Sequence, residues 1–341
     1  MNRTAAARPS NRQINQKAKL QSKAITQADE PSAQQARCYG AVDIGGTKIA
    51  VGIVRENGAL LAASQFPTGT NPAAAVQEIC AQLDRLQQSF GAGSLSGLGV
   101  SCAGPVDTLA GTVHNPYTLP GWDAYPLQKA LSDASKLPVR LENDANCALL
   151  GEVVLSALTK KRVLMVSIGT GIGTAFWDGH GFYRTGGRFH PELGHLLISS
   201  RRVPASPCYC GHANCVENLL SGTALHRRAA DAGFHDFTEL ATVLNAAVDS
   251  RKTAASLFVQ DLRAEFCELL WNYGLVFQPD CLILAGGMAA AYYELFASFQ
   301  QDFLQETKQR QDFVPPFHLA LAHEGANTAL SGAGLLFQVA G

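Results

Sequence analysis

From residue 38 onward the chain alternates short apolar runs with glycine punctuation, and the spacing assigns most of them. Ala41–Ile44 and Ile49–Val54 are apolar runs of strand length separated by the tight Gly45–Gly46–Thr47 turn. Asn57–Gly58 is a strong two-residue hairpin signal, and Ala59–Phe66 supplies a third strand, so the pattern predicts an antiparallel meander. The period then changes from two to 3.6. Asn71 is an N-cap, Pro72 suits the first helical position, and Val76, Ile79, Cys80, Leu83, Leu86 and Phe90 recur at helical spacing, with Gly91 as the stop. Strands follow at Leu98–Ser101 and Val139–Leu141, on either side of a long irregular stretch through Trp122.

The second half repeats the opening. Val42-Asp-Ile-Gly-Gly-Thr-Lys-Ile-Ala aligns with Val166-Ser-Ile-Gly-Thr-Gly-Ile-Gly-Thr, and a second hairpin turn near Asp178–Gly179 answers the one at Asn57–Gly58. Two glycine turns opening two equal halves predict duplicated domains that face each other, with a ligand in the cleft between them. A long helix at Thr253–Phe277, a strand at Cys281–Ala285, a Gly286–Gly287 turn, a helix through Tyr292–Phe303, a short strand at Leu319–Ala322 and a last helix from about Asn327 complete the pattern.

Composition adds limits. Two domains of ordinary size fit 341 residues, and 47% apolar residues suffice for a sizeable core. A formal net charge of −1 argues against a nucleic-acid-binding body. Residues 1–37 stand apart: seven Lys/Arg against two Asp/Glu and almost no large apolar side chains predict a disordered tail, with a nucleic-acid-binding arm as the alternative. No apolar run approaches the ~20 residues that span a bilayer, and the start lacks an apolar leader. A cytoplasmic location follows, in which the nine cysteines are thiols or metal ligands.

The candidate chemistry sits on the turns. In Asp43-Ile-Gly-Gly-Thr-Lys48 the glycines let backbone N–H groups approach a phosphate, and Asp43 is placed to hold Mg²⁺ directly or through water; an ordinary capped hairpin is the competing reading. Gly169-Thr170-Gly171-Ile172-Gly173 is the partner turn, suited to terminal phosphates or else a glycine-rich hairpin, and Asp280–Gly287 is a third, with Gly286 and Gly287 placed for adenine and ribose unless it is a plain strand-to-helix turn. Glu142-Asn143-Asp144 follows a strand and opens a helix, so it is either a cap or a loop whose Asp accepts a proton from a substrate hydroxyl. His195, Cys208, Cys210 and Cys215 are the most specific cluster: one nitrogen and three sulfurs make a closed, structural, tetrahedral Zn²⁺ site. Glu192 and Glu217 bracket it and suit sugar hydroxyls, unless they are merely solvated carboxylates.

Taken in order, Asp43–Lys48, Glu142–Asp144, Glu192-Leu-Gly-His195, Cys208–Glu217 and Asp280–Gly287 resemble the ROK family of sugar kinases and sugar-responsive repressors, over residues ~38–341. The resemblance implies an α/β, actin-like (ribonuclease H-like), duplicated two-lobed ATPase fold. One lobe spans 38–150 and is completed by the C-terminal helix (about 327–341); the other spans 151–326 and carries the zinc loop. It implies Asp144 as catalytic base and Asn143 as a sugar ligand. Glu192, His195 and Glu217 would hold the sugar's other face, with His195 using one ring nitrogen for zinc and the other for sugar. Gly104 and Asn115 resemble sugar-side loops. Asp43, Gly45, Gly46, Thr47 and Lys48 would handle Mg·ATP with Gly169–Gly173. A homodimer and a free hexose, glucose first, are implied as well. Zinc loss is then expected to harm sugar binding and to spare the phosphate turns, which lie elsewhere in the chain. Two features depart from the family pattern. Ser199–Ala205 lengthens the His195–Cys208 spacing, and His190-Pro191-Glu192 resembles the fructose-using branch. Repressor members carry a winged helix-turn-helix in front, for which residues 1–37 are too short and too poor in apolar residues.

Overall fold

Apolar alternation and glycine turns produce two sheets of the same design. In the computed structural model, residues 37–90, 94–184, 186, 190–246, 249–323 and 327–339 are described. The tail up to Ala36, and Gly91 as a helix stop, lie outside the described residues. The meander forms β1 (Cys38–Ile44), β2 (Lys48–Arg55) and β3 (Leu60–Pro67). Next come α1 (Pro72–Phe90), β4 (Leu98–Cys102), a ribbon of β5 (Val106–Asp107) and β6 (Thr112–Val113), and α2 (Leu127–Ser135). β7 (Val139–Asn143) and α3 (Asp144–Leu155) close the first half. The α1 start is as expected, because Asn71 Oδ1 accepts the Ala73 and Ala74 N–H groups at 3.1 and 3.2 Å.

The second half holds β8 (Val163–Ile168), β9 (Ile172–Trp177) and four helices: α4 (Val216–Leu220), α5 (Gly222–Asp231), α6 (Phe237–Asn245) and α7 (Lys252–Phe277). It ends with β10 (Cys281–Ala285), α8 (Gly287–Ala291), α9 (Tyr293–Glu306), β11 (His318–Leu321) and α10 (Thr328–Leu335). The single helix expected through Tyr292–Phe303 is therefore preceded by a separate short helix, the break falling at Tyr292.

The first sheet runs β3-β2-β1-β4-β7 and the second β11-β10-β8-β9. In each, the opening strand pairs antiparallel with its successor (β1 with β2, β8 with β9) and parallel with the next strand inward (β4, β10). The repeat read from the sequence is thus a repeat of topology, with β3 lacking a counterpart among the described residues.

Period-two alternation divides each strand between two cores. Val42 and Ile44 join α1 and α2 on one side of the first sheet, whereas Ala41 and Val54 face a middle core. Leu164, Val166 and Ile168 face the helices α5–α9, and Val163 and Met165 face the same middle core. α3 and α10 fill that middle layer, which explains why their sequences are apolar on all sides. Their approach needs glycine: a Cβ on Gly332 would lie 1.8 Å from Cys147 O.

Candidate functional site

The glycine turns lie side by side at the ends of the two central strands. In the first, Gly45 N–H donates to Lys48 O at 3.0 Å and Thr68 Oγ1 donates to Gly45 O at 2.6 Å. Asp43, on β1, accepts from Ser101 Oγ at 2.6 Å, across the β1–β4 register that sets Asp43 opposite Ser101. Burial pushes the Asp43 carboxyl up, against the opposing effects of Ser101 and Lys48. A bound cation would favour the carboxylate there. In the second turn, Gly169 N–H donates to Gly171 O at 3.0 Å.

Asp144 opens α3. The strand-to-helix switch is made by Asn143, whose Oδ1 caps the helix by accepting from Ala145 and Asn146 N–H. The cap and the functional loop are therefore one structure. The Asp144 carboxyl is pushed up to about 6, first by burial and then by the Asp43 charge, while the Ala145 N–H and His190 act the other way. Behind it the buried Glu142 accepts from Asn146 Nδ2 at 2.9 Å and forms an ion pair with Arg184, from the segment following β9.

His195 and the three cysteines converge, with one ligand atom from each lying within 4.8 Å of the others. A tight turn delivers the first two sulfurs, with Gly211 N–H donating to Cys208 O at 2.8 Å and Gly211 at φ +90°. Cys215 sits just ahead of α4. His195 Nδ1 faces Cys208 Sγ at 3.8 Å, so Nδ1 is the nitrogen open to a metal, and Nε2 pairs instead with Tyr209 Oη at 2.8 Å. One nitrogen and three sulfurs at this separation fit a tetrahedral zinc after a small contraction. Burial pushes the Cys215 thiol up to about 12 and raises Cys208 too, so metal uptake must release protons. The Ser199–Ala205 lengthening does not disturb the convergence. It is pinned along α7, with Ser200 Oγ on Glu265 at 2.5 Å and Arg202 Nε on Asp261 at 2.7 Å.

Two cavities meet at Asp144, Ala145 and Gly173. One, of about 620 Å³, is lined by Asp43, Gly45, Gly169–Gly173 and Gly286. The other, of about 700 Å³, is lined by Gly104, Asn115, Asn143, Glu192 and His195. Lys48 instead lines a third hollow beyond Asp43, and Gly46, Thr47 and Gly287 line none of these three. Asn115 is buried, with Nδ2 donating to Gly104 O and Thr118 Oγ1, both at 2.5 Å, and Oδ1 accepting Thr118 N–H. It braces the Gly104 loop. Glu217 lines the first cavity rather than the second, and its Oε2 accepts Ile172 N–H at 3.0 Å. The segment that carries the His/Cys cluster and the Gly169–Gly171 turn are thus in contact, contrary to the expectation drawn from their separation along the chain.

The family model described as "ROK family" matches residues 39–340. The chain belongs to the ROK family. It is 27% identical over 286 residues to a glucokinase of Halalkalibacterium halodurans, covering 78% of this chain and 85% of that one. It is 28% identical over 314 residues to a putative fructokinase of Bacillus subtilis, covering 86% and 93%. The crystal structure of the ROK hexokinase from Thermus thermophilus superposes with a TM-score of 0.72 at 29% identity, covering 87% and 97%. This ROK protein has the actin-like two-lobed ATPase fold and is an ATP-dependent sugar kinase. Among its described residues no helix is long and apolar enough to cross a membrane.

Several residues of this ROK site carry no signal in the sequence. Ser101 reaches Asp43 only through strand register, and Tyr117 and Tyr209 flank the second cavity from loops on opposite halves, with ring centroids 6.4 Å apart. His190, which the sequence did single out, also lines it, 3.3 Å from Glu192.

Proposed function

We propose that the protein transfers the γ-phosphoryl group of Mg·ATP to a hydroxyl of a free hexose, with glucose as the first candidate and Asp144 as general base. The observation that carries this reading is the meeting of two cavities at a single carboxylate of raised pKa. In the first cavity the glycine turns present backbone N–H groups suited to phosphate. In the second, Asn143 Nδ2 and Glu192 present a donor and acceptors suited to hydroxyls. A sugar hydroxyl beside Asp144 passes its proton to the carboxylate as it attacks, and a base near the ambient pH suits that task. Mg²⁺ held at Asp43 would supply charge stabilisation for the phosphates when bound. Zinc on His195 and the cysteines would be structural, because four protein ligands leave no open position.

The same reading takes 38–150 with 327–341 as one lobe and 151–326 as the other, closing over the substrates as a homodimer subunit. His190 beside Glu192 and the coverage of the B. subtilis relative favour fructose as the second candidate, and N-acetylated hexosamines remain within the same chemistry. A coupled ADP-release assay over glucose, mannose, fructose, N-acetylglucosamine and N-acetylmannosamine tests the proposal. Turnover with one of them supports it, and ADP release indifferent to all five overturns it.

A further inference from the structure

Glu217 stands where a nucleotide phosphate would not welcome a carboxylate. It belongs to α4, directly after the metal-ligand loop, yet its Oε2 accepts the N–H of Ile172, the first residue beyond the Gly169–Gly171 turn. A Cβ on Gly171 would come within 2.7 Å of that oxygen, so the carboxylate packs against the turn itself. It lines the cavity shared by Asp43, Gly45 and Gly169. In this position it takes up one backbone donor of a phosphate-binding turn and adds a negative charge facing the place a phosphate must occupy. Its other oxygen, Oε1, lies 3.8 Å from Cys208 Sγ, the sulfur that His195 Nδ1 also meets at 3.8 Å, and His195 lines the sugar cavity. Glu217 therefore stands between the two cavities, on a helix fixed at its start by the Cys215 ligand.

We infer that Glu217 is a positioning residue that couples the two substrates: with the sugar cavity empty its carboxylate occupies Ile172 N–H and opposes the nucleotide, and a sugar hydroxyl draws it towards His195 and frees the turn. The inference rests on the assignment of the cavities above. Sugar binding then promotes nucleotide binding, and by reciprocity nucleotide binding promotes sugar binding to the same degree. The arrangement also keeps the phosphate site poorly formed while water alone fills the sugar cavity, which limits wasteful hydrolysis of ATP.

The test is calorimetric binding of Mg·AMPPNP to the zinc-loaded protein, with and without a saturating amount of the hexose that the coupled assay shows to be turned over. The inference expects the hexose to tighten the analogue at least about five-fold in the unmodified protein, the lower end of ordinary coupling. In Glu217→Ala the analogue should bind more tightly than in the unmodified protein when no sugar is present, and its affinity should no longer depend on sugar. A side chain that merely supported the turn would give weaker binding instead. Glu217→Gln keeps the shape and an acceptor but removes the charge, and should lie between the two. Zinc content is measured for each variant so that a collapsed metal loop is recognised. Weaker sugar-free binding in a zinc-replete Glu217→Ala, or coupling that persists in it, overturns the inference. The kinase reading fails separately, through the absence of any sugar-dependent ADP release.

Discussion

Asp144 draws its chemistry from its surroundings more than from its identity. Half-buried at the head of α3 and facing the Asp43 charge, its carboxyl is pushed up to about 6. Asp144→Asn should lower kcat by about 10²–10⁴, the usual scale for a lost general base, with sugar affinity by calorimetry little changed. In the unmodified enzyme kcat/KM should fall about tenfold per pH unit below about 6, since the protonated acid cannot accept the hydroxyl proton. Mg²⁺ at Asp43 would offset that neighbouring charge and move the limb lower. Stability runs the opposite way. The folded pKa lies above the ordinary value of 3.8, so folding disfavours the ionised form; the penalty is absent below about pH 4 and complete above about 7. Asp144→Asn should therefore raise the melting temperature at pH 7.5, by up to about 3 kcal/mol of stability, and leave it unchanged at pH 4. A variant with normal turnover, or a stability gain equal at both pH values, contradicts this account. Asp144 could be singled out in the sequence because a strand, a capping Asn and a helix start announce a fixed carboxylate. Ser101 could not, because nothing local to Val100-Ser101-Cys102 reports the strand it will face.

Elements with long, regular apolar repeats were visible in the sequence: α7 and β10 fall within a residue of expectation. The five- to ten-residue helices α2 and α4–α6 were not, because each has too few turns to display a 3.6-residue period, and α5 even begins with glycine behind its Ser221 cap. The His195–Cys215 cluster was visible because the spacing of Cys and His is chemical rather than periodic. Its reach was not, since the contact from Glu217 to Ile172 spans 45 positions. Cys210→Ala should lose the metal by elemental analysis and raise the sugar KM steeply. Because Glu217 sits on the helix that the Cys215 ligand fixes, the nucleotide KM should shift too. A metal-free variant with unaltered sugar KM would refute this role for the loop. A second brace lies behind Asp144, where Glu142 of β7 is paired with Arg184. Arg184→Met leaves that carboxylate buried with Asn146 and a backbone N–H, and should cost about 3 kcal/mol in denaturant unfolding, the lower end for breaking a buried pair.

The two sheets share a middle layer, and α10, drawn from the end of the chain, is half of it. Its Leu330–Leu335 stretch is buried, and Arg140 of β7 reaches further along, donating to Leu336 O and Val339 O at 2.7 and 2.8 Å. Truncation after Ala326 should therefore yield protein that fails to give a cooperative melt, although every residue lining the second cavity is retained. A soluble, two-state truncated protein would disprove it. The same placement bears on how the chain is made. When α3 leaves the ribosome, the inward face of the first sheet, with Ala41 and Val54, still lacks the helix that covers it. At about 5–20 residues per second, the remaining stretch to Leu335 takes roughly 10–40 s to synthesise. For that interval the first half is an unfinished core waiting for its last part, which makes its exposed inner face a natural client for chaperones during translation.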